Sequence, residues 1–154
     1  MTQDLKVRTC LWFERDGLAA ARFYTGLIPD STLDTDSVDG AEPMIVAFSL
    51  GGAPYQILNG GPHFVQTPAC SIVVSTPDQS ETDRLWSALT ADGGKPGQCG
   101  WLTDRWGVSW QIVPEALPRL LGSSDREAAG RAQAAMMQMG KIEIAALEAA
   151  FNAN

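Results

Sequence analysis

Histidine is nearly absent from this 154-residue chain: His63 is the only one. Cysteine is scarce too. Cys10, Cys70 and Cys99 form no CxxC pair and have no histidine-rich neighbourhood. An odd number of isolated thiols excludes a disulfide framework and argues against a zinc site. Basic residues are few: eleven Lys and Arg stand against eighteen Asp and Glu, a formal net charge of −7. Such a chain lacks the positive footprint that nucleic-acid phosphates require. The opening decapeptide, MTQDLKVRTC, contains Asp4 and no apolar run, so no signal peptide is expected. Between Pro43 and Pro77 charge disappears altogether, yet no membrane span is expected there. Pro54, Pro62 and Pro68, with the pairs Gly51-Gly52 and Gly60-Gly61, break any helix before it reaches the ~20 residues a bilayer demands. These absences point to a reduced, cytoplasmic protein with neither nucleic acid nor membrane as partner. Disorder is excluded by composition, since 45% of the residues are hydrophobic and 19% charged.

Alternation and helical spacing organise the rest. Residues 7–13, VRTCLWF, are β-branched and aromatic and read as a strand. A helix over 18–28 follows, with Ala20, Phe23, Tyr24 and Leu27 on one face and Pro29 stopping it. A polar stretch at 30–42 reads as a loop, with or without a short strand in it. The segments 44–50 and 54–58 read as strands joined by the hairpin pair Gly51-Gly52. The pattern then restarts. A strand at 70–75 leads to Thr76-Pro77-Asp78-Gln79, where Thr76 is the expected N-cap. That helix carries Thr82, Leu85, Trp86 and Leu89 on one face and ends at Gly93-Gly94. Two further strands are expected at 99–104 and 108–113. A short helical segment over 115–121, a helix opened by the capping box Ser124–Glu127, and a last helix with Ile144, Leu147 and Phe151 complete the chain.

The restart is an internal repeat. A shift of 62 places Leu11 on Val73, Ala20 on Thr82 and Leu27 on Leu89; a shift of 55 aligns Gly52-x-x-x-Gln56 with Gly107-x-x-x-Gln111. The order β-α-β-β-β occurs twice. One such unit leaves a sheet face open, so two are expected to share a curved mixed sheet whose concave face is a pocket. The expected fold is therefore α+β, a single domain over 1–154. Module one spans about 5–62 and module two about 68–114, with a helical C-terminal extension over 115–154.

Several strings carry a resemblance: CLWF at 10–13, ARFYTGL at 21–27, NGGPHF at 59–64, CGWLTDRWGVSWQIVP at 99–114, and the tail MMQMGKIEIAALEAAF. Together they resemble the PhnB-like branch of the vicinal oxygen chelate superfamily, the glyoxalase, bleomycin-resistance and dioxygenase group. The resemblance implies paired βαβββ modules and a homodimer. Relatives often carry the label 3-demethylubiquinone methyltransferase. Metal-using members of the superfamily place ligands on the opening and closing strands of each module. Carried onto this sequence, those positions are Thr9, Gln56, Ser71 and Gln111. Two hydroxyls and two amides supply no charge to a divalent cation, so no metal and no cofactor are expected.

Other residues remain open to two readings. His63 is either a base or donor facing a ligand, or a loop histidine. Trp12, Trp101, Trp106 and Trp110 either wall an aromatic pocket or pack the core and a dimer contact. Strand alternation separates Gln111 from Trp110, so both cannot face the pocket. Cys99 has Arg105 as its nearest charge but no triad partner, while Cys10 and Cys70 read as core. The ligand-pocket candidates are Thr9, Gln56, Ser71 and Gln111, with His63 and Trp101 at the rim, around a small neutral aromatic or apolar molecule. The alternatives are a metal-dependent glyoxalase- or dioxygenase-like enzyme, and a methyltransferase. The methyltransferase reading lacks a glycine-rich turn between a strand and a helix. No catalytic residue is assigned.

Overall fold

A computed structural model describes residues 6–35 and 40–153. Asp4, the first residue of the span expected for module one (residue 5) and residues 36–39 of the 30–42 loop lie outside the described residues. The chain divides into two compact units, Met1–Gln66 and Thr67–Asn154.

Unit 1 contains β1 (Thr9–Phe13), α1 (Gly17–Leu27), β2 (Thr32–Leu33), β3 (Ile45–Leu50) and β4 (Ala53–Asn59). The strand order is β1-β4-β3-β2, with β1 parallel to β4 and the other pairs antiparallel. The β3–β4 hairpin turns at Gly51 and Gly52, whose φ angles of 53° and 84° are both left-handed. Only a type I′ turn places both central residues there, which is why a glycine pair marks it. Leu11, Phe13, Val46, Phe48 and Ile57 are buried on one sheet face. The rings of Tyr24 and Phe48 lie 6.4 Å apart, which identifies that face as the one beneath α1.

The first turn of α1 receives its partners from elsewhere in the unit. Asp16 precedes the helix in a left-handed conformation, φ 65°, without a capping bond from its side chain. Asn59 Oδ1 accepts from the Gly17 amide at 3.0 Å, and Glu42 Oε1 accepts from Leu18 at 3.0 Å. Asn59 Nδ2 also donates to the Pro43 carbonyl at 2.9 Å. Asn59 is thus a strap between β4, α1 and the approach to β3. No side chain fits at Gly17, where a Cβ would lie 2.5 Å from Ile57 Cγ2.

Unit 2 repeats the design with β5 (Ser71–Thr76), α2 (Gln79–Thr90), β6 (Lys95–Pro96), β7 (Trp101–Thr103) and β8 (Ser109–Pro114). Its order is β5-β8-β7-β6, again with one parallel pair, β5 with β8. Each unit is therefore a four-stranded mixed sheet with a crossover helix, the α+β plan read from the repeat. The helix start differs from expectation. Asp78, not Thr76, is the N-cap, and its side chain accepts from the Glu81 amide. The Thr76 hydroxyl is buried against Thr82 at 2.7 Å instead.

Three helices follow, α3 (Ala116–Leu121), α4 (Arg126–Met136) and α5 (Ile144–Asn152). Asp125, not Ser124, caps α4. Leu117, Leu120, Ala132, Ile142 and Leu147 form their common core, with Phe151 packed against it. The apolar tail is thereby covered within its own unit, so it lends no support to a dimer. Gln79 clamps this extension to α2: its Nε2 donates to the Ile142 carbonyl at 3.1 Å, and its Oε1 accepts from the Ile144 amide at 2.8 Å. No helix among the described residues is long and apolar enough to cross a membrane.

Candidate functional site

Each sheet has a face turned away from its helices, and register decides which side chains occupy it. In unit 2, Trp110 and Ile112 are completely buried on the helix side. Alternation then sends Ser109, Gln111 and Val113 to the open side. Pairing brings Ser71, Val73, Trp101 and Thr103 onto the same side. Gln111 Nε2 donates to Ser71 Oγ at 2.9 Å, and Trp101 lies directly across from Gln111. A cavity of about 340 Å³ is lined by Trp101, Thr103, Ser109, Pro68 and Lys95; it reaches Trp101 but neither Gln111 nor Ser71. Lys95 stands on the exposed edge strand β6.

The open face of unit 1 carries Cys10, Trp12, Ala47, Ser49, Gln56 and Leu58, because their neighbours Leu11, Phe48 and Ile57 are buried beneath α1. Thr9 pairs with Tyr55 and shares the side of Leu11. It does not share a face with Gln56. The cause is one residue. Matching Gln56 to Gln111 matches Cys10 to Val73 and Arg8 to Ser71, a shift of 63 in the strands. The helices Gly17–Leu27 and Gln79–Thr90 begin 62 apart. Asp16, in its left-handed conformation, absorbs the extra residue between β1 and α1.

Arg8 therefore occupies the position that counting gave to Thr9. Its Nη1 lies 3.5 Å from the Tyr55 carbonyl and 3.9 Å from Asp34 Oδ2, across the open face. Asp34 follows β2 and is held by Thr32, whose hydroxyl also meets Ser49. Neither Arg8 nor Asp34 was selected from sequence as a ligand-facing pair. Their meeting depends on the edge strand β2 being carried over by the hairpin.

The remaining candidates separate clearly. His63 is exposed, with its ring 6.4 Å from that of Trp12. Trp12 is held on the open face by its loop: Nε1 donates to the Gly61 carbonyl at 2.9 Å, and Phe64 packs edge-on at 4.8 Å. Gly60 is required there, since a Cβ would lie 2.4 Å from the Trp12 ring. Trp110 is core, and its indole N–H donates to the buried Asp104 at 2.9 Å. Trp106 lies beneath the Arg105 guanidinium at 5.2 Å. Cys10 and Cys70 are exposed rather than core.

The sequence matches the family described as 3-demethylubiquinone-9 3-methyltransferase over residues 5–113. The chain belongs to that family. Among solved structures it is similar to a PhnB protein from Bacillus cereus named for the same methyltransferase. Identity is 27%, the match covers 71% of this chain and 99% of that one, and the TM-score is 0.62. Protein PA1353 from Pseudomonas aeruginosa shares the fold at 23% identity and a TM-score of 0.58, over 72% of this chain and 98% of its own. A glyoxalase/bleomycin resistance protein from Albidiferax ferrireducens T118 does so at 13% identity and a TM-score of 0.50, over 70% and 96%. No curated protein matches the chain. The family assignment and the glyoxalase/bleomycin-resistance type of fold agree with the resemblance read from the motifs.

Proposed function

We propose that this family member is a binding protein for a small neutral aromatic or apolar molecule, held on the open sheet face around Gln111 without a catalytic metal. The observation that carries this reading is the Gln111–Ser71 hydrogen bond beside Trp101, which also lines the cavity. A neutral donor–acceptor pair is already in place, and an aromatic wall stands next to it. The donors do not suit a divalent cation. In unit 2 they are an amide and a hydroxyl engaged with each other; in unit 1 the amide of Gln56 shares its face with the Arg8 guanidinium. A guanidinium repels a metal ion, and Asp34, the carboxylate that shares this face, lies 3.9 Å from it. Lys95 lies on an exposed edge and stays hydrated, so it does not offset the burial of an anionic ligand at the centre.

Methyl transfer, the activity in the family's name, has less support. Dinucleotide-type cofactor cradles use a glycine-rich turn between a strand and a helix. Here the β1–α1 connection is Glu14-Arg15-Asp16 and the β5–α2 connection is Pro77-Asp78. We further propose a cytoplasmic homodimer. Exposed apolar side chains occur on each unit, Ile45, Phe64 and Val65 on the first and Val73 on the second, and exposed apolar surface of this kind supports a contact with a second copy.

Elemental analysis and tryptophan fluorescence test the reading. The purified protein is expected to contain no stoichiometric Zn, Ni, Mn or Fe. Saturable quenching by neutral aromatics is expected in wild type and lost in Gln111→Leu. One metal per chain that disappears in Gln111→Ala overturns it in favour of a metal-dependent enzyme. Light scattering that returns the mass of a single chain at micromolar concentration overturns the dimer.

A further inference from the structure

The open face of unit 1 changes character along its strands. Register sets its side chains in rows across β3, β4 and β1. Ile45, Leu58 and Trp12 form one row, with Phe64 edge-on to the Trp12 ring at 4.8 Å. Ala47, Gln56 and Cys10 form the next. Ser49 and Pro54 pair in the third, and Arg8 enters at that level from just ahead of β1. The face is therefore apolar at one end and cationic at the other, about 13 Å away at the rise of a strand. Two of its polar side chains lack close partners. The Arg8 side chain is only 26% exposed, yet among the described residues its polar contacts are the Tyr55 carbonyl at 3.5 Å and Asp34 Oδ2 at 3.9 Å. Both are long and both engage Nη1, so most of the five guanidinium donors are unused. Gln56 is half-buried, and its side-chain amide makes no hydrogen bond among the described residues. Its counterpart Gln111 already bonds Ser71.

We propose that this face binds an amphiphilic monocarboxylate, its aromatic or aliphatic body along Trp12, Leu58 and Ile45 and its carboxylate on Arg8, with Gln56 between them. A guanidinium fork presents parallel N–H groups that match the two oxygens of a carboxylate. Asp34 sets the charge that fits. Its carboxylate is held by the Thr32 hydroxyl at 3.1 Å and approaches the guanidinium from the β2 side. A phosphate dianion on the same guanidinium would meet twice the repulsion from Asp34 that a carboxylate meets. The apolar end is built in advance. Trp12 is fixed by its indole bond to the Gly61 carbonyl and by Phe64, so it receives a ligand with little further loss of freedom. This surface belongs to unit 1 and does not rest on the neutral molecule proposed around Gln111.

The test is calorimetric titration of the full chain, below the micelle concentration of each probe. The probes are ω-phenyloctanoate, the alcohol of the same skeleton and the phosphate monoester of that alcohol. The carboxylate is expected to bind saturably and about tenfold or more tighter than the alcohol or the phosphate. Arg8→Met is expected to bring the carboxylate down to the level of the alcohol. Asp34→Asn is expected to tighten the carboxylate several-fold, an effect that a merely structural Arg8–Asp34 pair would not give. It reads the same charge from the other side should Arg8→Met fail to fold, and circular dichroism checks both variants. Gln111→Leu is expected to leave carboxylate binding unchanged. Equal affinity for acid and alcohol in wild type, a preference for the acid that survives in Arg8→Met, weaker binding in Asp34→Asn, or loss of binding in Gln111→Leu overturns the proposal.

Discussion

Asp104 is 3% exposed and serves three donors. Its Oδ1 accepts from the Trp106 and Val108 amides at 2.9 and 3.0 Å, and its Oδ2 accepts from Trp110 Nε1 at 2.9 Å. The carboxylate thus closes the β7–β8 turn and anchors the largest buried side chain of unit 2. Asp104→Asn keeps one oxygen for the two amides but turns an NH2 toward the indole N–H. That loses one bond to a charged acceptor, worth about 1.5–3 kcal/mol, and leaves a buried donor unpaired. The expected cost is about 2–4 kcal/mol, or roughly 5–15 °C in Tm for a chain of this size. Trp110→Phe alone is expected to cost a similar amount through the cavity it leaves and the loss of its bond to Oδ2. In the double variant the opposed N–H groups no longer face each other. Its cost should fall below the sum of the single costs by about 1–2 kcal/mol. Urea melts of the four proteins measure this cycle. Additivity within about 0.5 kcal/mol, or an Asp104→Asn variant as stable as wild type, refutes the argument that the carboxylate is the turn's anchor.

Gly60→Ala is expected to drive the Trp12 ring from its place, since the new Cβ would stand 2.4 Å from it; a shifted tryptophan emission checks this, and an unchanged spectrum contradicts it. Asn59→Ala removes the acceptor of the Gly17 amide and the donor to Pro43, and a loss of about 1–3 kcal/mol is expected in chemical denaturation. The third expectation concerns Lys141, which lies 2.6 Å from Asp83 and 3.2 Å from Glu143. The Lys141 hydrogen bond, with that of Gln79, holds the Asp83 carboxyl below its ordinary value, and Asp83 in turn raises Lys141. A lowered acid stabilises above its unfolded value and loses that contribution as pH falls; a raised base loses its contribution as pH climbs. The Tm gap between wild type and Lys141→Met should therefore be present at neutral pH. It should begin to close as pH falls below about 4, and again only as pH rises above roughly 10.5. A gap independent of pH would contradict the pairing.

Periodicity made most of the fold readable, because it depends only on neighbours along the chain. The α1 face with Ala20, Tyr24 and Leu27, the Gly51-Gly52 hairpin and the separation of Gln111 from Trp110 all follow from local spacing. Helix starts were less legible where two capping residues compete. Thr76 and Ser124 fit the motif, but Asp78 and Asp125 make the bonds, and Thr76 has a buried partner in Thr82. Thr9 failed for a different reason. A 62-residue shift fits the helices, and no sequence pattern reveals that Asp16 adds one residue ahead of α1. The Arg8–Asp34 meeting was invisible because it joins the two edges of a sheet whose strand order must be known first.

Asp16 also makes the two halves of the chain non-interchangeable parts. A chimera that grafts β5 alone ahead of the Glu14-Arg15-Asp16 connection, with residues matched by the 62-residue helix shift, would seat the strand one residue out of phase. A one-residue slip turns every side chain to the opposite face. Val73 and Ser75 would point under the helix, and Ile72 and Val74 would emerge on the open side. The one-residue difference between the two connections locks each strand to its own helix. Shuffling modules therefore requires cutting after the helix start, never between strand and helix.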